Sequence, residues 1–377
     1  MSFTKNLIEN IKAEAVNLGF SNLGVTNPQS LKESHRYLEW LDHGYNGSMD
    51  YLARQDSISR RLNPSLLLEN CKTIITLAYS YPIVHFSELS NSSTKGWISS
   101  YAIFDDYHFF LKKLALQLVE KIRDLNPGNH AFQVFTDSAP ILERECGVRG
   151  SLGWIGKNAN LISPVLGSTF FLAEILTDIE INTDVSIPAD RCGKCRRCID
   201  ACPTQCILPD RTLDARKCIS YLTIENKGAI PFHLRDKMDH WVFGCDICQM
   251  VCPWNGSYKK ESHIKIKKRI NPLVDITSQL HFSEKEFQDF YAGTPVIRTG
   301  LNGFIRNLIV VAGNLVDSRV EKDLTRFLLN ASDPMIRSHS GWALGKYHTA
   351  NAREVLCRSL TSESDQTVLD EIHLALG

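Results

Sequence analysis

No uninterrupted apolar run in the chain approaches the roughly 18 residues that a membrane span needs, so no transmembrane helix is expected. Charge of one sign is also lacking, because 42 Lys and Arg stand against 42 Asp and Glu. Any polyanionic partner must then be met by a local patch rather than by the surface as a whole. The first twenty residues have no basic segment followed by an apolar one, which excludes a secretory signal of the usual kind. Leu7, Ile8, Ile11, Ala15 and Leu18 instead recur at helical spacing. We therefore expect a cytoplasmic protein, in which thiols stay reduced and free to hold metal. There is no G-x-G-x-x-G following a strand and no P-loop lysine motif, so a dinucleotide-binding fold is not supported.

What the chain does have is cysteine, 12 in 377 residues. Cys192, Cys195, Cys198 and Cys202 run C-x-x-C-x-x-C-x-x-x-C and are followed by Pro203. Cys245, Cys248 and Cys252 follow at similar spacing and end at Pro253, with Cys218 between the groups. In bacterial ferredoxins this run gives three thiolates to one [4Fe–4S] cluster and its fourth to a neighbouring one. Applied twice, the rule assigns Cys192, Cys195, Cys198 and Cys252 to a first cluster. Cys202, Cys218, Cys245 and Cys248 go to a second. Disulfides would need an oxidising compartment, and a zinc ribbon has no use for the third tightly spaced cysteine. Electron transfer is the chemistry that this spacing supports. Cys71, Cys146, Cys206 and Cys357 have no partner at motif spacing and read as packing residues.

Around this segment the organisation is α/β. Residues 1–185 alternate helical and strand-like stretches, with strands expected at Thr73–Tyr81, Ala131–Phe135 and Ser168–Leu176 and a helix over Asp106–Leu125. A further helix is expected over Ala139–Cys146, with Thr136, Asp137 or Ser138 as its cap. Glycines 147, 150, 153 and 156 would allow a flat ligand close to the backbone, or simply make turns. Residues 186–258 read as a ferredoxin-like two-cluster domain, and 259–377 as a basic linker followed by helical repeats. Lys259, Lys260, Lys265, Lys267, Lys268 and Arg269 concentrate positive charge, either as a solvated face or as a phosphate-binding strip. Arg306–Leu315 and Arg337–Tyr347 align at a fixed offset, and Val368–Leu376 starts a third copy. The repeats resemble HEAT-like helical pairs, a binding surface in one reading and a helical cap on the core in the other.

Several motifs in order carry a more specific resemblance. They are Val134–Arg144 (VFTDSAPILER), Leu152–Asn158 (LGWIGKN), Cys192–Pro203, Asp214–Glu225 (DARKCISYLTIE), and Gly244–Gln249 with Cys252-Pro253-Trp254. Together they resemble the epoxyqueuosine reductases, and the matching motifs span nearly the whole chain. The resemblance implies an α/β (α+β) cobalamin-binding core, a ferredoxin-like insert with two [4Fe–4S] clusters and a C-terminal HEAT-like region. It implies an oxidoreductase that removes the epoxide oxygen of epoxyqueuosine at the wobble position of tRNA, using cobalamin (B12) fed by the clusters from a low-potential electron donor. It places the proton donor at Asp137 and an active-site arginine at Arg144. Arg60, Tyr101, Ala102, Asp137, Asn158, Leu161 and Leu172 would line the corrin, with Ser220 and Asp246 more weakly matched. With tRNA as substrate, the basic run together with Arg298 and Arg306 would hold the phosphates of the anticodon loop.

The residue types suit that chemistry. Reductive opening of an epoxide puts negative charge on its oxygen, which a positioned acid can protonate. For Asp137 that requires a raised proton affinity, so Arg144 is expected to face substrate or a corrin amide rather than the aspartate. An Asp at the end of a strand more commonly caps a helix, and only the surrounding motif favours catalysis. His108 reads as a structural residue at a helix start, since the family leaves the lower face of cobalt without a protein histidine. Two positions depart from the family: Phe104-Asp105 stands where Gly-Arg is usual, and Cys206 where a small apolar residue is usual. A reductive dehalogenase-like enzyme on a small molecule, or a two-cluster electron carrier without a corrin, are the alternatives.

Overall fold

A computed structural model of the chain describes residues 2–29, 34–84, 95–181, 187–256 and 266–377. Its strands are β1 (Asn22–Thr26), β2 (Thr73–Ser80), β3 (Lys95–Ile98), β4 (Phe132–Phe135), the two-residue β5 (Trp154–Ile155) and β6 (Leu161–Ile162), β7 (Phe170–Thr177), β8 (Trp241–Phe243) and β9 (Leu273–Asp275). Six of its helices are used below: α1 (Ser2–Leu18), α2 (Tyr107–Leu125), α3 (Glu143–Arg149), α4 (Gly300–Leu315), α5 (Pro334–Gly345) and α6 (Gln366–Leu376). Two compact units emerge, one from Met1–Ile83, Phe104–Arg216 and Ile247–Lys268, the other from Val84–Ile103, Lys217–Asp246 and Arg269–Gly377. The cysteine segment has residues in both units.

The first unit is built on a four-stranded sheet of order β1-β2-β7-β4. Every neighbouring pair is antiparallel, so the unit is α+β rather than a parallel doubly wound sheet. All eight residues of β2 are buried, as its β-branched and aromatic run predicts for a strand covered on both faces. Helix α2 packs on β7 and on α1 through a stripe of Leu111, Ala115, Leu118, Val119 and Ile122, all buried. Asp106 caps α2 by accepting the His108 N–H at 3.0 Å.

One expectation fails in this unit. Helix α3 starts at Glu143 rather than Ala139, and no side chain caps it. Pro140 disfavours the helical conformation of the residue before it, so 136–142 make tight turns instead. The glycine-rich stretch makes close backbone packing. A Cβ on Gly150 would sit 2.9 Å from the Gly24 carbonyl carbon, and one on Gly153 only 1.9 Å from the Ile162 carbonyl oxygen. These glycines let backbone pack against backbone.

The second unit holds the three-stranded sheet β8-β3-β9, in which β3 runs parallel to β8 and antiparallel to β9. Its helices stack with the same device at successive joints. A Cβ on Gly313 of α4 would meet Trp342 of α5 at 2.6 Å, and one on Gly345 of α5 would meet Ala375 of α6 at 2.7 Å. The aligned sequence copies are therefore helices that lie close through glycine. Arg235 is wholly buried and forks onto Glu371 at 2.6 and 2.9 Å, so the last helix is tied to the unit by a charged pair. Among the described residues, no helix is long and apolar enough to cross a membrane.

Candidate active site and cysteine centre

In the first unit, the chain leaves β4 at Phe135 and turns at Asp137 with φ +57°, a left-handed conformation uncommon for a residue with a side chain. The Asp137 carboxylate is not a helix cap. It is half exposed, at 51% of its side chain, and its Oδ2 accepts from the Tyr107 hydroxyl at 2.5 Å and faces His108 Nε2 at 3.2 Å. The other ring nitrogen of His108, Nδ1, lies 2.7 Å from Asp106 Oδ1. Burial opposes charge on His108, but the hydrogen bonds to Asp106 and Asp137 and the charges of both carboxylates outweigh it and push its pKa up to about 9. At neutral pH the ring is an imidazolium that donates to both aspartates. Tyr107 stacks on His108 at 4.2 Å and on Phe171 of β7 at 4.6 Å, which fixes the phenol over the aspartate.

The backbone of the turn is held as firmly as its side chain. The Asp137 N–H donates to Glu143 Oε1 at 2.6 Å. Arg144 donates to the Ala159 carbonyl and keeps an exposed face. Crowding lowers the proton affinity of its guanidinium, against the steadying charges of Glu143 and Asp137. Arg144 therefore lies within electrostatic reach of Asp137.

The cysteine centre begins at Cys192, which accepts from the Trp154 indole N–H at 3.4 Å. Lys157 spans the next turn, donating to the carbonyls of Gly193 at 2.7 Å and Cys195 at 2.8 Å. Gly193, at φ +48°, is where that turn needs glycine. Cys252 packs with Trp154 and Ile162, and Cys192 and Trp254 lie against the same group. Burial raises the Cys252 thiol, and the neighbouring charges of Cys192 and Cys195 add to it. Burial likewise raises Cys198, with Cys192 and Cys252 contributing. Cys198 and Cys252 thus both feel Cys192, with which they are expected to hold one cluster. Elsewhere in this unit Cys206 does more than pack, because its sulfur lies 3.4 Å from that of Cys202 and is the main cause holding the Cys202 thiol down to about 5. The Cys248 carbonyl accepts from Asn158 at 3.4 Å.

Other expected positions fare unevenly. Arg60 is exposed and Leu172 half-buried, whereas Asn158 and Leu161 are buried. In the second unit, Tyr101 and Ser220 are half-buried and Ala102 is buried. Asp246 is buried and its Oδ2 accepts both the N–H and the hydroxyl of Ser100 at 2.6 Å, which leaves that oxygen committed to the protein. Burial pushes its pKa up to about 6 despite those bonds. Cys218 caps the helix Ile219–Ile224 by position, and Cys245 follows Gly244, whose N–H donates to Thr223 at 2.9 Å.

The basic positions divide as well. Lys259, Lys260 and Lys265 lie outside the described residues. Lys267, Lys268 and Arg269 are exposed. Arg298 is paired with Glu225 at 2.5 Å. Arg306 is wholly buried, donating to the carbonyls of Leu222, Asn226 and Gly228 at 2.6–2.8 Å, and burial lowers its pKa to about 10. The expected phosphate contact at Arg306 is thereby overturned, because a guanidinium that satisfies three carbonyls inside the fold has no face for RNA. The departure at Asp105 is explained too: its carboxylate and N–H bond the backbone of Lys267, at 3.3 and 2.9 Å.

Comparisons with known proteins follow this geometry. Residues 61–138 match a family described as "Epoxyqueuosine reductase QueG, DUF1730", and 191–255 match "4Fe-4S double cluster binding domain". An epoxyqueuosine reductase of Pseudomonas aeruginosa is 34% identical over 90% of this chain and 94% of its own. The chain belongs to the epoxyqueuosine reductase family. It is accordingly an oxidoreductase with an iron–sulfur binding segment. A second family member, from Cyclobacterium marinum, is 38% identical over 82% of this chain and 97% of its own. Among solved structures, the Bacillus subtilis epoxyqueuosine reductase with its catalytic aspartate loop swung out of the active site superposes with TM-score 0.90 at 27% identity, covering 99% of both chains. An epoxyqueuosine reductase bound to an epoxyqueuosine-modified tRNA stem loop matches with TM-score 0.90 at 26% identity over 99% of this chain and 98% of that one.

Sequence reasoning gave no role to Tyr107, Glu143, Trp154 or Lys157, and only a structural one to His108. Tyr107 and His108 sit one and two residues past the cap of α2, and that adjacency was the available signal for His108. Nothing in the sequence pairs residues 107–108 with 137.

Proposed function

We propose that this epoxyqueuosine reductase converts epoxyqueuosine in the tRNA anticodon loop to queuosine, with cobalamin and two [4Fe–4S] clusters as cofactors. Cys192, Cys195, Cys198 and Cys252 hold the first cluster and Cys202, Cys218, Cys245 and Cys248 the second. The soft thiolate donor set fits such clusters, and the packing of Cys252 and Cys192 about Trp154 supports the first assignment. For cobalamin, the observation that fits is a half-exposed acid with two donors behind it, as a proton source facing a flat, electron-rich group requires. Arg60, Tyr101, Asn158, Leu161, Leu172 and Ser220 remain the proposed corrin neighbours. When bound, cobalamin supplies a low-potential metal that receives electrons from the clusters and delivers them to the substrate.

Loss of the epoxide oxygen as water, leaving an alkene, consumes two electrons and two protons. Asp137 is the proposed donor of the first proton to the epoxide oxygen, and its half-exposed carboxyl is the observation that carries the reading. Asp137 receives that proton from His108, the imidazolium that faces Oδ2 at 3.2 Å beside the ionised carboxylate, and a solvent proton taken up by the ring supplies the second by the same route; Tyr107 keeps the carboxyl aimed. The turn is built to present a side chain rather than to bury one, consistent with a relative whose catalytic aspartate loop takes a swung-out position. Lys267, Lys268 and Arg269 are the described cations proposed to hold tRNA phosphates, joined by Lys259, Lys260, Lys265 and Arg298. Cells lacking the gene would accumulate epoxyqueuosine in their tRNA, read by mass spectrometry of nucleosides, and the gene restored would convert it to queuosine. Unchanged queuosine in the deletion strain would overturn the assignment.

A further inference from the structure

Glu174 is a buried acid near this site that the reaction does not use and that no donor satisfies. It lies in the middle of β7, in register with Thr76 of β2 and Phe135 of β4, and has no exposed surface. Among the described residues, no donor reaches either of its carboxyl oxygens, and the hydroxyl of Thr76 has no partner either; the side chain that meets Glu174 is the Glu143 carboxyl. A lone carboxylate in such a place would cost several kcal/mol, so the group must carry or share a proton. The acidic groups that act on it are Glu143 and Asp137. The Cys146 thiol of α3 also faces it, and Arg144 acts on Glu143 from the same helix.

We propose that Glu143 and Glu174 share one proton, and that the pair acts as the positioning device for the Asp137 turn, with Glu174 holding Glu143 and Glu143 holding the Asp137 N–H. Two carboxyls side by side cannot both ionise, so they titrate as a unit. Burial raises both, Glu174 well above the ordinary range and Glu143 up to about 7, with mutual repulsion next in the ranking for Glu174. In the working state, Glu174 is the acid and Glu143 the carboxylate. The proton on Glu174 lets Glu143 remain an acceptor beside a buried neighbour. The charge on Glu143 makes its bond to the Asp137 N–H a charge-assisted one, at 2.6 Å. That bond holds a residue at φ +57°, a left-handed conformation that is unfavourable for a residue with a side chain. The inference deepens the proposed function, in which Asp137 is the proton donor.

Infrared spectroscopy of the purified full-length chain tests the shared proton without tRNA or cobalamin, so its outcome is separate from that of the proposed function. At pH 7.5, well above ordinary carboxyl pKa values, the wild type should show a protonated-carboxyl carbonyl band that moves in D2O. Glu174→Gln should abolish it, and Glu143→Gln should retain it at a changed frequency, because Glu174 then keeps its proton without its neighbour. Absence of the band in the wild type, or its indifference to both substitutions, would overturn the pairing. If Glu174→Gln fails to fold, the frequency change in Glu143→Gln decides alone. The positioning role is read from the pH profile of kcat in the reconstituted enzyme. Its acidic limb, expected near pH 7 from Glu143, should move down by about one unit in Glu174→Gln, since an amide neither repels Glu143 nor withholds an N–H from it. An unmoved limb would refute that role.

Discussion

Two aspartates expected at the active site have opposite surroundings in the two units. Asp137 sits on a left-handed turn, half exposed, and its carboxyl is served by side chains from one helix end. Asp246 is buried and bonded twice by Ser100 through the same oxygen. The first can give a proton to something outside the protein; the second is committed to holding residues 99–101 in place. The difference shows that a motif match locates a residue without assigning its work, which depends on what its carboxyl oxygens already touch.

The comparison breaks most sharply at Asp137 itself. Asp137→Asn should lower kcat by about 10²–10⁴-fold, the usual worth of a positioned acid, while leaving thermal unfolding almost unchanged. Asp246→Asn should do the reverse. Removing the charged acceptor from two buried donors should cost about 1–3 kcal/mol of stability in denaturant unfolding, with kcat changed by less than that of Asp137→Asn. A second contrast, between buried and exposed cations, gives a smaller effect on binding. Lys267→Ala with Lys268→Ala should reduce the slope of log affinity for tRNA against log salt by roughly one unit, as expected for one or two lost phosphate contacts. A conservative Arg306→Lys should leave that slope alone and lower stability, because its three carbonyl partners lose their donor.

The smallest effect is on the pH dependence of folding. His108 holds its proton more tightly when folded, with a pKa raised to about 9, so its stabilisation is full below its unfolded value of about 6.5 and is lost as pH rises through about 9. Glu143, raised to about 7, gives the same sign in a lower window, from its unfolded value of about 4.5 up to about 7. Denaturant midpoints measured across these windows should fall with rising pH, and His108→Gln should flatten the upper one.

Much of this was legible in the chain. Buried β2 followed from its uninterrupted β-branched run, α2 and its stop at Asn126 from periodicity and Pro127, and the first cysteine group from spacing alone. The antiparallel sheet was not legible, because strand direction is fixed by connections whose path no local pattern encodes. Arg306 misled because a helix-start arginine in a basic neighbourhood looks the same whether it faces solvent or three carbonyls. Glu174 carried a signal that went unused: a lone carboxylate inside the apolar stretch Phe170–Leu176, in a strand expected to be buried, cannot be there as an ordinary surface charge. Its neighbour Glu143 is supplied by a helix whose start shifted under the influence of Pro140, and only the fold brings the two together.

The central claim, that Asp137 delivers a proton while iron–sulfur and cobalamin chemistry deliver electrons, is tested most directly by a single turnover. Reconstituted, pre-reduced enzyme mixed with epoxyqueuosine-containing tRNA and assayed by nucleoside mass spectrometry should form queuosine rapidly with the wild type and at least about 10²-fold more slowly with Asp137→Asn. Equal rates for the two proteins, at equal iron and cobalamin content, would contradict it.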